Sequence, residues 1–260
     1  MSAASAQYAA LSKRAILNTV RQPTSVVPSM LFPLIFIAMS SSALNRAITI
    51  PGFPKVDSFL QFGIPATIVQ GVLFGAVGAG SAMATDIEDG FFERLMASPV
   101  SRTSILVGRL AGAAAMSFVQ AWLFLGVIAL FGVDIEGGIP AVLLVSLVAA
   151  LLGAGIGAVS VAVGIRTGSS EAVQGSFPLL FAGLFLSSAF FPRDLMKGWF
   201  RSVADVNPLS HLIEGIRVQI ISGVDLGAWL AALGIAGAIS VVGLFLAGRA
   251  LNGRLKAARS

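Results

Sequence analysis

Six stretches of this chain contain no Asp, Glu, Lys or Arg: residues 22–45, 58–85, 110–133, 137–165, 172–192 and 226–248. Each reaches the roughly 20 residues a helix needs to cross a hydrocarbon core of about 30 Å. Each is dominated by Leu, Ile, Val, Ala, Phe and Gly. Hydrocarbon admits only helices or closed barrels, because every backbone N–H and C=O must find a partner inside the structure. Strand-length segments with strict alternation are absent, which removes the barrel. The pattern predicts an all-α integral membrane protein, a single transmembrane domain over 1–260. Its six membrane helices fall at about 24–44, 59–84, 105–131, 139–164, 172–191 and 227–248.

Composition agrees. Charged residues make up 11% and hydrophobic ones 56% of the 260, with mean hydropathy +0.91. A soluble domain carries roughly a quarter charged residues, so too few remain here to solvate a surface. The first window begins too late and runs too long for a cleaved signal peptide. The net charge of +5 does not point to nucleic acid, because the cations are spread along the chain without a basic patch. The absence of Cys excludes disulfides and thiolate chemistry. A single His argues against a His-based metal site.

The distribution of Lys and Arg sets the orientation. With both termini on one side, that side holds Lys13, Arg14, Arg21, Arg94, Arg102, Arg109, Arg166, Arg249, Arg254, Lys256 and Arg259. The other holds Arg46, Lys55, Arg193, Lys197, Arg201 and Arg217. The richer side is cytoplasmic, giving a multi-pass protein of the plasma or inner membrane with both termini inside.

Three segments outside the spans carry structure of their own. Residues 1–22 hold Tyr8, Leu11, Ala15 and Ile16 on one helical face, with Arg14 and Arg21 opposite. That suits a cytoplasmic helix lying in the interface; a solvated basic leader is the alternative. Residues 85–104 contain Asp86, Glu88, Asp89 and Glu93 beside Arg94 and Arg102. Gly90 breaks the preceding helix, Phe91, Phe92, Leu95 and Met96 form a short apolar face, and Pro99 ends it. Charges mixed with bulky apolar groups suit a docking surface, or an ordinary charged loop whose phenylalanines dip into the interface. Residues 193–225 are too polar to span and too apolar to be a solvated loop. Short external helices fit, with Trp199 at the interface. Glu214 and Arg217, three residues apart, predict a local ion pair.

Sites of chemistry are scarce. None of the four lysines follows a glycine, as a phosphate-binding P-loop requires, so this chain is not expected to bind ATP. The Gly71/Gly75 and Gly153/Gly157 pairs lie inside spans and predict close helix packing. No acid or base lies in mid-span, which weighs against a proton-coupled carrier. The neutral polar residues Gln70, Gln120, Ser187 and Ser188, among others, join helices by hydrogen bonds or line a substrate path. A lipid-modifying enzyme would have to build its site from the 193–217 segment alone.

The stretch Asp86-Ile-Glu-Asp-Gly-Phe-Phe-Glu-Arg-Leu-Met-Ala-Ser-Pro-Val-Ser-Arg102 resembles the cytoplasmic signature of type-2 ABC exporter permeases of the daunorubicin-resistance type. It has one extra residue between Asp86 and Gly90. The blocks Phe190–Trp199 and Asn207–Arg217 are similar to that family's external segment before the last helix. The resemblance implies a membrane subunit, not itself an enzyme, paired with a second permease chain and driven by two copies of a separate ABC ATPase that carries the ATP and Mg. It makes Asp86, Glu88, Asp89, Gly90, Phe91, Phe92, Glu93, Arg94, Leu95, Pro99 and Arg102 the ATPase-coupling element. It makes Phe191, Pro192, Trp199, Asn207, Pro208, Glu214 and Arg217 an external gate. The implied cargo is a lipophilic drug, antibiotic or lipid. Export of a polysaccharide or glycolipid, and a stand-alone secondary carrier, are the alternatives.

Overall fold

A computed structural model describes residues 3–21, 23–98 and 101–257. Pro99 and the side chain of Arg102 lie outside the described residues. Among the described residues every regular element is helical: α1 Ala3–Val20, α2 Pro23–Leu44, α3 Phe59–Glu88, α4 Phe91–Ala97, α5 Arg102–Leu130, α6 Gly138–Thr167, α7 Ser170–Gly175, α8 Phe177–Phe185, α9 Gly198–Val206, α10 Pro208–Ile221 and α11 Leu226–Ala257. Short 3-10 turns occupy Asn45–Thr49 and Arg193–Leu195. Among the described residues, five helices are long and apolar enough to cross a membrane, and they coincide with five of the six charge-free windows.

The window at 172–192 is different. A single helix over 172–191 was expected, but the chain forms α7 and α8, followed by turns through Ser188 and Ala189. Its residues are as apolar as those of the other windows. However, Pro178 at the start of α8 supplies no backbone donor to the preceding turn, and Ser176 and Ser187 bond back to the carbonyls of Val173 and Leu184. Such local side-chain bonds compete with the helix ladder.

The centre of the bundle is α3 and α6. α6 packs on α11, α3 and α5, and α3 also meets α2 and α10. Small residues set these distances. A methyl group on Gly80 would sit 2.6 Å from the Ser160 carbonyl oxygen, and one on Gly164 2.6 Å from the Gly80 carbonyl. α11 meets α6 where Gly155 faces Ser240, and a methyl group on Gly155 would sit 2.7 Å from the Ser240 hydroxyl oxygen. Without a hydrophobic difference between helix and lipid, van der Waals contact at such seams holds the bundle together. Gly153 and Gly157 take part as expected, against Ser117 and Ala113 of α5. Gly71 faces Phe124, whereas Gly78 faces open space.

Helix ends follow their caps. Ser58 accepts from the Gln61 N–H at 3.2 Å to start α3, Ser101 from the Ser104 N–H at 3.1 Å to start α5, and Asn207 from the Leu209 N–H at 2.9 Å to start α10. These side chains satisfy donors the helix cannot.

α1 packs along α5. Leu11 and Ala15 lie on Gly108 and Gly112, a small-residue pair the sequence reading did not single out. Ile16 and Leu17 are exposed. Arg14 was expected on the face opposite Leu11 and Ala15; it turns into the bundle instead.

Candidate functional site

The α3–α4 elbow holds the densest group of charges. Gly90 sits between the two helices with φ +66°, a conformation costly for any residue with a Cβ. The chain therefore turns within two residues of the end of α3. Two residues before that end, Asp86 pairs with Arg109 of α5 and, at 3.4 Å, with Arg14 of α1. The Arg14 guanidinium also lies 3.9 Å over the Phe91 ring, a favourable cation–π geometry. Burial lowers the Arg14 pKa from its ordinary value, and the Asp86 carboxylate offsets that cost by pairing with the charged form. Three helices and the elbow thus meet at one carboxylate.

The short apolar face of α4 packs inward. Phe92 is 3% exposed and lies with Met83, Ile87, Ile105 and Leu251. Phe91, Phe92 and Leu95 were expected to belong to a surface that docks a partner. The bundle's own apolar cluster claims Phe92, and Phe91 and Leu95 are half-buried. Asp86 was likewise expected to face a partner and is engaged within the chain. The outward residues are Glu88, Asp89, Glu93 and Arg94. Glu88 accepts from the Ser170 N–H at 3.0 Å, and Glu93 pairs with Arg254 of α11 at 3.3 Å. Asp89 and Arg94 have no ion pair among the described residues. The elbow is therefore firmly seated at its base and charged at its tip.

At the opposite end, the predicted Glu214–Arg217 pair is absent. Glu214 pairs with Arg193, which also meets Asp205 at 3.6 Å. Arg217 is 7% exposed and turns the other way. Its guanidinium donates to the carbonyls of Phe62 at 3.2 Å, Ser188 at 2.9 Å and Ala189 at 3.4 Å, and stacks on the Phe62 ring at 3.9 Å. Burial lowers its pKa to about 10, which leaves it charged at neutral pH. It satisfies carbonyls freed where the chain leaves helix after α8, and ties them to the start of α3.

Asn207 performs the same service through its Nδ2, to Gly183 O at 2.7 Å and Leu186 O at 3.0 Å. Pro192 is buried, Pro208 opens α10, and Phe191 and Trp199 are exposed. Between α9, α10 and the 192–194 turn lies a polar cleft of about 500 Å³ with Arg193, Arg201, Asp205 and Glu214 on its walls.

The four residues considered for a path separate into two groups. Ser187 and Ser188 are buried in the turn after α8, where Ser188 donates its N–H to the Ser210 hydroxyl and its own hydroxyl to the Ser210 carbonyl. Gln120 of α5 donates to Ser29 of α2 at 3.1 Å. Gln70 of α3 is fully buried with neither amide atom bonded among the described residues, as are the hydroxyls of Ser117 and Ser160.

One feature escaped the sequence reading: a ladder of phenylalanines from α2, α3, α8 and the turn beyond it. Phe177 lies 4.7 Å from Phe74, Phe32 5.4 Å from Phe74, Phe181 5.3 Å from Phe185, and Phe190 5.2 Å from Phe185 and 5.4 Å from Phe36. Phe32 and Phe185 keep exposed edges. Two i, i+4 spacings, Phe32 with Phe36 and Phe177, Phe181 and Phe185, announce it in sequence.

Residues 6–221 match the family described as ABC-2 type transporter. The chain is similar to the daunorubicin resistance ABC transporter permease protein DrrB1 of Streptomyces coeruleorubidus, 30% identical over 208 residues, 78% of this chain and 71% of the relative. It is 30% identical over 213 residues to the putative transport permease ycf38 of Cyanophora paradoxa, 80% of this chain and 71% of that one. It is 23% identical over 213 residues to the probable doxorubicin resistance ABC transporter permease protein DrrC of Mycobacterium tuberculosis, 82% of this chain and 76% of the relative.

Proposed function

The chain belongs to the ABC-2 type transporter family, and from that premise we propose that it is the permease subunit of an ATP-driven exporter of a lipophilic drug, antibiotic or lipid. ATP and Mg sit on a separate ABC ATPase, present in two copies beside two permease chains of the same or a related kind. Residues 1–260 act as one transmembrane domain in the cell membrane. It crosses six times, with α7 and α8 as a broken fifth crossing. Both termini and the α3–α4 elbow are cytoplasmic, α1 lies in the inner interface, and α9 and α10 close the outer end.

The observation that carries this reading is the division of labour at the elbow. Its base is locked to α1, α3 and α5 through Asp86, Arg109, Arg14 and Phe92, while Glu88, Asp89, Glu93 and Arg94 face outward. A soluble partner gripping the tip would move three helices at once. ATP could then bias the permease only through contacts that differ between the two ATPase states. The Phe74 ladder supplies an apolar, polarisable surface for the cargo, and the unpartnered Gln70 amide a polar contact beside it. Arg217, Asn207 and Glu214 hold the external closure.

The test is reconstitution with the partner ATPase. Asp89→Ala with Arg94→Ala should abolish cargo-stimulated ATP hydrolysis while leaving the permease folded. Stimulation undiminished in that variant would remove the elbow from the mechanism.

A further inference from the structure

A cleft between α2 and α5, at the end of the bundle opposite the elbow, encloses about 740 Å³. That is the size of a site for a drug-sized molecule. Its floor is apolar: Leu34 and Ile37 of α2, Leu60 of α3 and Ile128 of α5. Its mouth lies between Ile35 and Phe131, which are 55% and 77% exposed on the face where lipid would lie. Its rim is polar, with Ser41, Ser42, Asp57 and Ser58.

The rim is built, not incidental. Asn45 Oδ1 accepts from the Phe59 N–H at 3.1 Å, and Gln61 Oε1 accepts from the Asp57 N–H at 3.1 Å. Gln61 Nε2 reaches across to the Asp134 carbonyl at 3.1 Å. Two side-chain amides thereby fix the end of α2, the start of α3 and the loop after α5 around the opening. Among the described residues, Asp57 is the one charged residue on the lining. Its carboxylate has no ion pair among the described residues.

We propose that this cleft binds a single-chain amphiphile with a cationic head, entering sideways from the membrane, its tail on the Leu34–Ile128 floor and its ammonium at Asp57. An anionic head would meet the carboxylate with no cation to receive it. A neutral head would leave the carboxylate unused. Asp57 is exposed at the rim, so an ion pair there is a partly screened surface pair. The site rests on the membrane reading of the chain but needs no ATPase.

The experiment uses the full purified chain in phosphatidylcholine nanodiscs, without ATPase or ATP. The probes are a long-chain alkylamine with a photoreactive diazirine on its tail, and the alcohol and sulfate of the same chain. The amine should label peptides from the second half of α2 and the end of α5 most strongly, the alcohol weakly and the sulfate least. Asp57→Asn should lower amine labelling about fivefold, as expected for loss of one partly screened ion pair, and leave alcohol labelling unchanged. Ala38→Trp, which fills the cleft, should remove both. Equal labelling by the three probes, or amine labelling indifferent to Asp57→Asn, would mean that the cleft holds only ordinary lipid tails, and would overturn the proposal. Labelling elsewhere in the chain would do the same. None of these results bears on ATP-driven export, which is measured separately.

Discussion

Asp86 on α3 and Arg109 on α5 form an ion pair whose side chains are 18% and 12% exposed, and Arg14 of α1 completes it from the other side at 3.4 Å. Removing one partner of such a pair leaves the other charge poorly solvated, which costs more than the pair itself contributes. Asp86→Asn should therefore destabilise the purified protein by about 2–3 kcal/mol, read as a lower melting temperature in detergent. Asp86→Leu combined with Arg109→Leu should recover most of that loss. An unchanged melting temperature in Asp86→Asn would show that the pair does not hold the three helices.

The glycine seam gives a paired prediction. Gly80→Ala places a methyl group 2.6 Å from the Ser160 carbonyl oxygen, whereas Gly78→Ala meets nothing within 4 Å. The first should cost about 1–3 kcal/mol by forcing α3 and α6 apart. The second should be neutral or slightly stabilising, because alanine is the better helix former. Thermal unfolding of both variants side by side checks it.

The charges at the elbow tip should behave oppositely to those at its base. The Glu93 side chain is 53% exposed and that of Arg254 32%, and such solvent-facing pairs contribute about 1 kcal/mol at most. Glu93→Ala should leave the melting temperature within a degree or two yet reduce cargo-stimulated ATP hydrolysis. A large fall in stability would place Glu93 in the scaffold instead.

Arg217 donates to three backbone carbonyls on two separate segments. Lysine carries the charge but not the planar fork. Arg217→Lys should therefore lose part of the closure and Arg217→Met all of it. Each buried carbonyl left without a donor costs about 1–3 kcal/mol. Protease accessibility of the 186–192 turn should rise in that order, from wild type through lysine to methionine.

Charge-free windows located the five long helices because hydrocarbon imposes one rule on every residue of a span. The same rule could not reveal the break at 172–192, since an interrupted helix seated on α3 can be as apolar as a continuous one. The elbow was legible from Gly90 and the crowding of charges around it. Which of those charges turn inward was not, because that depends on Arg14 and Arg109 arriving from distant helices. For the same reason Arg217 was assigned to its nearest acid in sequence, whereas its partners lie up to 155 residues away and are carbonyls, which composition does not reveal. The phenylalanine ladder assembles from three helices and shows in sequence only as short i, i+4 repeats within α2 and α8.

The central claim is that ATP, hydrolysed on another chain, drives this one through the elbow. Uptake of a fluorescent lipophilic amine into inverted membrane vesicles tests it most directly. Accumulation should require ATP and the co-expressed ATPase, and should be lost when Asp89 and Arg94 are both replaced by alanine. Accumulation driven by an ion gradient alone, without ATP or ATPase and undisturbed by those substitutions, would contradict the account.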